Sequence, residues 1–197
     1  MLGDGFHDIP PGKLAMVVTH LEMLHQAPAR PVPSPVGVTL RQVRPDLTWY
    51  RDIFKRVGSL EWLWFSRLQM PDDALEEILN DRRVAFYTLA CDGQDEALLE
   101  LDFRTDGACE LAYFGLTRAL MGTGAGRFLM NSAIDLAWAK PITRFHVHTC
   151  TIDGPQALAF YRRSGFKAIR QQIEIADDPR LAGALPMTAG PHVPVLG

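Results

Sequence analysis

The segment Met121-Gly122-Thr123-Gly124-Ala125-Gly126-Arg127 lies between a strand-like stretch ending at Leu116 and an amphipathic helix. Alternate glycines before a helix let a ligand approach the backbone, and the free N–H groups and dipole of the first helical turn attract phosphate. The residues therefore indicate a phosphate-binding loop. A tight turn that only permits close helix packing is the alternative. No Lys-Ser/Thr follows Gly126, and several strands precede the loop, which disfavours a P-loop and a dinucleotide-binding loop.

A second segment, residues 153–166, reads Asp-Gly-Pro-Gln-Ala-Leu-Ala-Phe-Tyr-Arg-Arg-Ser-Gly-Phe. Pro155 suits the first turn of a helix, and Gly165 supplies the left-handed residue that ends one. In this frame Phe166 packs back on Tyr161 as the hydrophobic contact of a Schellman cap. Packing at a helix end is therefore one interpretation of Tyr161.

Around these segments, the sequence predicts strands and helices in alternation. Residues 46–70 have apolar side chains at helical spacing with a break at Gly58, and a short helix runs from Asp72 or Asp73 to Leu79. Strands are predicted at residues 13–23, 36–43, 84–91, 97–104, 109–116, 144–151 and 167–175. This order predicts a mixed α/β sheet.

Together, residues 121–127 and 157–166 resemble the motifs of the GCN5-related N-acetyltransferases, the GNAT superfamily. That family's loop reads R/Q-x-x-G-x-G/A, and its late helix reads A-x-x-F/L-Y-x-x-x-G-F. The resemblance covers residues 36–175 and implies an α/β (α+β) fold with a mixed, mostly antiparallel central sheet flanked by helices. To this fold the chain adds an N-terminal strand. The resemblance also implies acetyl-CoA as co-substrate, and we expect no metal.

The resemblance implies where this co-substrate binds. Backbone amides within Gly122–Arg127 would hold the CoA pyrophosphate, and the strand end at Phe114–Leu116 would pair with pantetheine through its main chain. The implied cofactor-binding residues are Phe114, Gly115, Leu116, Met121, Gly122, Thr123, Gly124, Ala125, Gly126 and Arg127.

Two residues match the family's catalytic positions. Tyr161 corresponds to the tyrosine that protonates the leaving thiolate, and a phenol with a pKa of about 10 stays protonated until then. Glu110 resembles the strand glutamate that acts as general base in the family's histone acetyltransferases. A base is needed because an amine with a pKa of about 10.4 is mostly protonated. A glutamate is a weak base unless burial raises its pKa, so binding of a cationic substrate and a structural role both stay open for Glu110.

Three further residues are predicted to bind the acceptor. Trp64 and Arg67 lie in the region where the family places its acceptor-binding helices, and core packing is the more ordinary interpretation of the neighbouring Trp62. His148 shares a strand face with His146, since the two alternate with Val147. Such histidines relay protons in some sites and are packed or solvated in many others.

The sequence departs from the family pattern in three places. Met121 replaces the Arg/Gln that opens the loop motif, and Gly154 stands where many members have Asn. The family's final hairpin strand is not evident after Ile175, and we expect the strand at 13–23 to fill that edge. We expect acetyl transfer to a primary amine, in a small molecule or at a peptide N-terminus, by direct attack. A CoA-binding regulatory or interaction module with little catalysis is the alternative.

Composition sets the remaining expectations. The chain has 197 residues, of which 47% are hydrophobic and 22% charged, and a net charge of −3, which argues against nucleic-acid binding. Three cysteines without CxxC spacing favour a reducing compartment, and no stretch suits a signal peptide or a membrane span. We therefore expect a cytoplasmic protein, with a homodimer formed through the extra strand as one option. We divide it into an arm at 1–35, an acetyltransferase-like domain at 36–175 and a Pro/Gly-rich tail at 176–197.

Overall fold

Eight β-strands form one mixed sheet in the computed structural model, which describes residues 3–197. The strands are β1 (Lys13–Met23), β2 (Val38–Val43), β3 (Val84–Cys91), β4 (Gln94–Asp95), β5 (Ala97–Asp102), β6 (Ala108–Leu116), β7 (Arg144–Cys150) and β8 (Lys167–Asp177). Their order is β2-β3-β5-β6-β7-β1-β8, with β4 beside β3, and β6–β7 is the parallel pair among otherwise antiparallel neighbours. The predicted fold class is confirmed.

Helices cover both faces of the sheet. They are α1 (Leu47–Phe54), α2 (Leu60–Trp62), α3 (Ser66–Gln69), α4 (Asp72–Asn80), α5 (Ala125–Trp138) and α6 (Ala157–Arg163). On the front face, α1 and α4 pack against Phe86 and Leu98. On the back face, α5 and α6 pack against Leu99 and Leu111.

The sequence predicts a break at Gly58 in the helical region after β2, but the structure shows that the helix continues through this residue. Residues Lys55–Ser59 form a π-helical turn, and the chain leaves the helix at Leu63, which has a left-handed φ of 54°. Gly58 is needed inside the helix because a Cβ there would overlap the ring of Trp64. The turn at Leu63 therefore folds Trp64 back over the helix.

Strand β1 takes the place of the missing final hairpin strand, as expected for residues 13–23, and it lies between β7 and β8 while β8 forms the edge of the sheet. It pairs antiparallel with β7 from Val18 to Met23 and with β8 from Lys13 to Glu22. The strand therefore supplies the hairpin partner that the sequence lacked after β8. Both edges of β1 are occupied, so strand pairing with a second copy of the chain would have to use an edge strand of the sheet, β2 or β8.

The C-terminal tail packs on the front face over β1 and is held by a buried arginine. The Arg180 side chain is 1% exposed and pairs with Asp178 at 2.7 Å. It also donates to the carbonyl oxygens of Ala189 and Val193 at 3.1 and 2.9 Å. These bonds satisfy both the guanidinium and carbonyl groups that the tail buries. The tail therefore covers the front face over the N-terminal half of β1, where Leu185 and Ala189 pack with Leu14 and Met16.

Candidate active site

Strands β6 and β7 separate to form a V-shaped opening in the middle of the sheet. Pairing begins where Ala108 faces Arg144 and ends where Glu110 faces His146. Strand β6 nevertheless continues to Leu116. A bulge in β6 opposite the Glu100–Leu101 step bends the strand, as β-bulges do. Beyond Glu110, the edge of β6 that faces β7 is therefore free to pair with a ligand through its main chain.

The glycine loop lies at the mouth of this opening. Gly122 and Gly124 have φ angles of +77° and +91°, which explains the need for glycine there, and Gly124 is the N-cap of α5. Within residues 3–197, the amides of Gly122, Gly124 and Gly126 donate to no protein acceptor. These N–H groups are therefore available to an anion at the start of α5.

Two walls line the opening. On the front, the Trp64 ring lies against Gly115, where an added Cβ would be 3.1 Å from Cη2 of Trp64 and would overlap Val57. On the back, Phe114 stacks on Phe160 with ring centroids 5.6 Å apart. The predicted Phe114–Leu116 segment thus lies between aromatic side chains on the two faces of the sheet.

Tyr161 lies on the back side of the same opening. Its ring is 6.4 Å from that of Phe114 and 6.0 Å from that of Phe166, and the Phe166 amide donates to the Tyr161 carbonyl at 3.2 Å, so the predicted Schellman cap is confirmed. No hydrogen-bond partner of its hydroxyl is found in the described chain. Burial raises the pKa of Tyr161 above its usual value, with a smaller contribution from Asp153. The phenol is therefore protonated and available to donate.

Glu110 and His148 face each other on the front side. Their closest atoms, Oε1 of Glu110 and Nδ1 of His148, are 3.6 Å apart. Interaction with the imidazole lowers the pKa of Glu110, and the carboxylate raises the pKa of His148. His20 of β1 adds a third group, with its ring 5.8 Å from that of His148 and its Nε2 2.8 Å from Gln172 Oε1. The imidazole of His148, rather than the carboxylate, is thus the better proton acceptor.

Arg67, predicted to bind the acceptor, is buried beside the site instead of lining it. Its guanidinium pairs with Glu100 at 2.6 Å, lies 5.2 Å from the centroid of the Tyr113 ring, and has a 7% exposed residue surface. Tyr50 donates to the other Glu100 oxygen. Since Glu100 is fully buried, this ion pair is required to neutralise it. The contacts of Arg67 are therefore structural.

Asp153 organises the end of β7, a role that the sequence did not reveal. It accepts hydrogen bonds from Thr149 Oγ1 at 2.6 Å, from the Cys150 amide at 2.8 Å and from Trp64 Nε1 at 3.0 Å. This carboxylate therefore connects the front wall to the strand that carries His148. The signal in the sequence was weak, because an Asp before Gly-Pro also fits an ordinary turn.

Cys150 lies next to the Asp153 carboxylate, at the end of β7. Burial raises the pKa of Cys150 to about 12, with a further contribution from Asp153, so its thiol is not a thiolate at neutral pH. Among residues 3–197, no group of three or more His, Cys, Asp or Glu residues is arranged to hold a metal ion. Over the same range, no helix is long and apolar enough to cross a membrane.

Comparison with known sequences identifies one family. The sequence model described as the acetyltransferase (GNAT) family matches residues 49–166, from α1 to just beyond α6. This range contains the glycine loop, the opening and Tyr161, and it leaves out β1, β2, β8 and the tail. No curated protein sequence matches the chain significantly.

Solved structures share the fold at low sequence identity. A GCN5-related N-acetyltransferase from Sphaerobacter thermophilus has a TM-score of 0.57 and 16% identity over 86% of this chain. One from Kribbella flavida has a TM-score of 0.56 and 19% identity over 87%. An aminoglycoside acetyltransferase from an uncultured soil metagenomic sample, with trehalose bound, has a TM-score of 0.54 and 15% identity over 70% of this chain and 93% of its own. The chain spans only 53% and 63% of the first two proteins.

Proposed function

The chain belongs to the GNAT acetyltransferase family, and from this premise we propose that it transfers an acetyl group from acetyl-CoA to a primary amine by direct attack. The observation that carries the proposal is the opening between β6 and β7, which has unpaired glycine amides at its mouth and the buried Tyr161 beside Phe114 on its back side. Acetyl-CoA, when bound, supplies the thioester that the amine attacks. The acceptor is a small molecule or a peptide N-terminus, and the protein acts in the cytoplasm.

The residues divide the work of binding and proton transfer. The amides of Gly122, Gly124 and Gly126 hold the pyrophosphate, and the free edge of β6 fixes the pantetheine by strand-like pairing. Tyr161 donates its proton to the departing sulfur, because its buried phenol is neutral and has no competing partner.

The acceptor amine enters from the front face, beside Trp64. His148 takes the amine proton, and Glu110 orients the imidazole and stabilises the imidazolium that forms. In this arrangement Glu110 does not have to act as the base, which would require a raised pKa; its pKa is lowered instead. Arg67 takes no direct part, because Glu100 occupies it.

Titration calorimetry with acetyl-CoA, followed by thiol release with a panel of amines, tests the proposal. We expect acetyl-CoA to bind and at least one amine to accelerate thiol release. Binding without thiol release for any amine would favour a CoA-binding regulatory module. No binding at millimolar acetyl-CoA would contradict both functions.

The pH profile should report on His148. Because its pKa is raised by Glu110, the rate is expected to rise with pH as the imidazolium loses its proton, with a midpoint above the usual histidine value. Glu110→Gln removes the carboxylate that stabilises the imidazolium, so this midpoint should move to lower pH. The measurement is kcat/KM against pH with one acceptor. Glu22→Gln is the matched control, since Glu22 lies on the same face but pairs with Arg144.

If the midpoint of the kcat/KM profile does not move in Glu110→Gln, another group accepts the proton. The same conclusion would follow if His148→Gln kept the wild-type profile.

A further inference from the structure

The part of the N-terminal arm that follows β1, residues 24–35, runs over α5 and α6 and passes beside the glycine loop. Gln26 donates to Asp135 at 2.9 Å, and Asn131 of α5 donates to the Arg30 carbonyl at 2.8 Å. Farther along, Cγ2 of Val32 lies 3.5 Å from the position of a Cβ on Gly124. The arm is thus fixed against the helix whose first turn forms the phosphate cradle.

A small cavity of about 40 Å³ lies where the arm, α5 and α6 meet. Each of these three elements contributes one arginine to it: Arg30 from the arm, Arg127 from α5 and Arg163 from α6. The other lining residues are Pro28, Asn131, Ile134, Phe160 and Ser164. None of the lining side chains carries a negative charge, so the cavity is a positively charged pocket.

The three guanidinium groups keep most of their hydrogen-bonding capacity. Arg30 donates one bond, from Nη1 to the Arg163 carbonyl at 3.2 Å. Among residues 3–197, no carboxylate lies within 4.0 Å of Arg30, Arg127 or Arg163. A guanidinium has five N–H donors and prefers the bidentate geometry of phosphate and carboxylate. The pocket therefore fits a dianion, such as a phosphate monoester.

The pocket also lies at a suitable distance from the glycine loop. Arg127 belongs to the first turn of α5, and Asn131 is one turn farther along. With a rise of about 1.5 Å per residue, the cavity begins within about 10 Å of the loop amides. A ligand that places a pyrophosphate on the loop and carries a second phosphate a few bonds away can reach both.

We propose that Arg30, Arg127 and Arg163 bind the 3′-phosphate of the CoA nucleotide, so that the N-terminal arm forms part of the co-substrate site. The proposal rests on the proposed function, because it takes CoA to be the ligand of the glycine loop. It gives the arm, which lies outside residues 49–166, a role in the selection of the co-substrate.

Dephospho-CoA, which lacks only the 3′-phosphate, gives the test. Calorimetry on the full chain should show that CoA binds at least about tenfold more tightly than dephospho-CoA. Arg30→Gln and Arg163→Ala should each weaken CoA binding by about tenfold and leave dephospho-CoA binding unchanged. Arg30→Gln keeps a side-chain donor for the Arg163 carbonyl, and unchanged thermal unfolding will show that the arm stays in place. Arg162→Ala, on the same helix but outside the cavity, is the matched control.

Equal affinity of the wild type for the two ligands would overturn the proposal and leave the proposed function standing. Tenfold discrimination that persists in both Arg30→Gln and Arg163→Ala would also overturn it, as would an equal loss in Arg162→Ala. If neither ligand binds, the proposed function fails, and this proposal fails with it.

Discussion

Replacement of Tyr161 by Phe is expected to lower kcat by about 100- to 10,000-fold, the usual contribution of a general acid. The substitution removes only a hydroxyl that has no protein partner, and the ring keeps its contacts with Phe114 and Phe166. The affinity for acetyl-CoA should therefore change little, because the loop amides and the β6 edge are untouched. Thiol release and calorimetry on the same preparation measure the two effects separately.

Tyr87→Phe is the matched control for this substitution. Tyr87 lies on β3, away from the opening, and packs at the border of the back-face core. Its loss of a hydroxyl should leave kcat unchanged. If Tyr161→Phe keeps the wild-type kcat, the leaving sulfur takes its proton from another group, and Tyr161 serves only as the packing residue of the helix cap.

Removal of Arg67 is expected to lower the free energy of unfolding by about 3–5 kcal/mol, because Arg67→Ala leaves Glu100 without its counter-charge. Glu100 is fully buried in the folded chain, and this burial already raises its pKa. Without Arg67 the folded protein should bind a proton there that the unfolded chain releases near its ordinary pKa. The stability of Arg67→Ala should therefore recover as the pH falls from the raised folded pKa toward the ordinary value.

Denaturant unfolding at several pH values measures this effect. Glu100→Gln in the Arg67→Ala background should restore part of the stability, since it removes the buried charge. Arg83→Ala is the control, because Arg83 pairs with Asp81 at the surface and should leave the unfolding midpoint nearly unchanged. A large rise in KM without a loss of stability in Arg67→Ala would instead indicate contact with the acceptor.

The sequence predicted the local backbone conformation of the glycine loop and of the α6 cap. The glycine loop and the cap of α6 follow from short-range rules, since positive φ angles at Gly122, Gly124 and Gly165 require glycine whatever surrounds them. The proximity of Glu110 and His148 was not predictable, because it depends on which two strands become parallel neighbours. The burial of Arg67 was equally hidden, since its partner Glu100 lies on another element.

The sequence by itself therefore determined the fold class, the glycine loop before α5 and the helix that carries Tyr161. Only the tertiary structure decided the rest: β1 between β7 and β8, Asp153 beneath Trp64, and Arg30 beside Arg127 and Arg163. The physical reason is the range of the interactions. Turns and caps are fixed by the dihedral angles of a few consecutive residues, whereas sheet pairing and side-chain clusters join residues that are distant in the chain and depend on how all elements pack together.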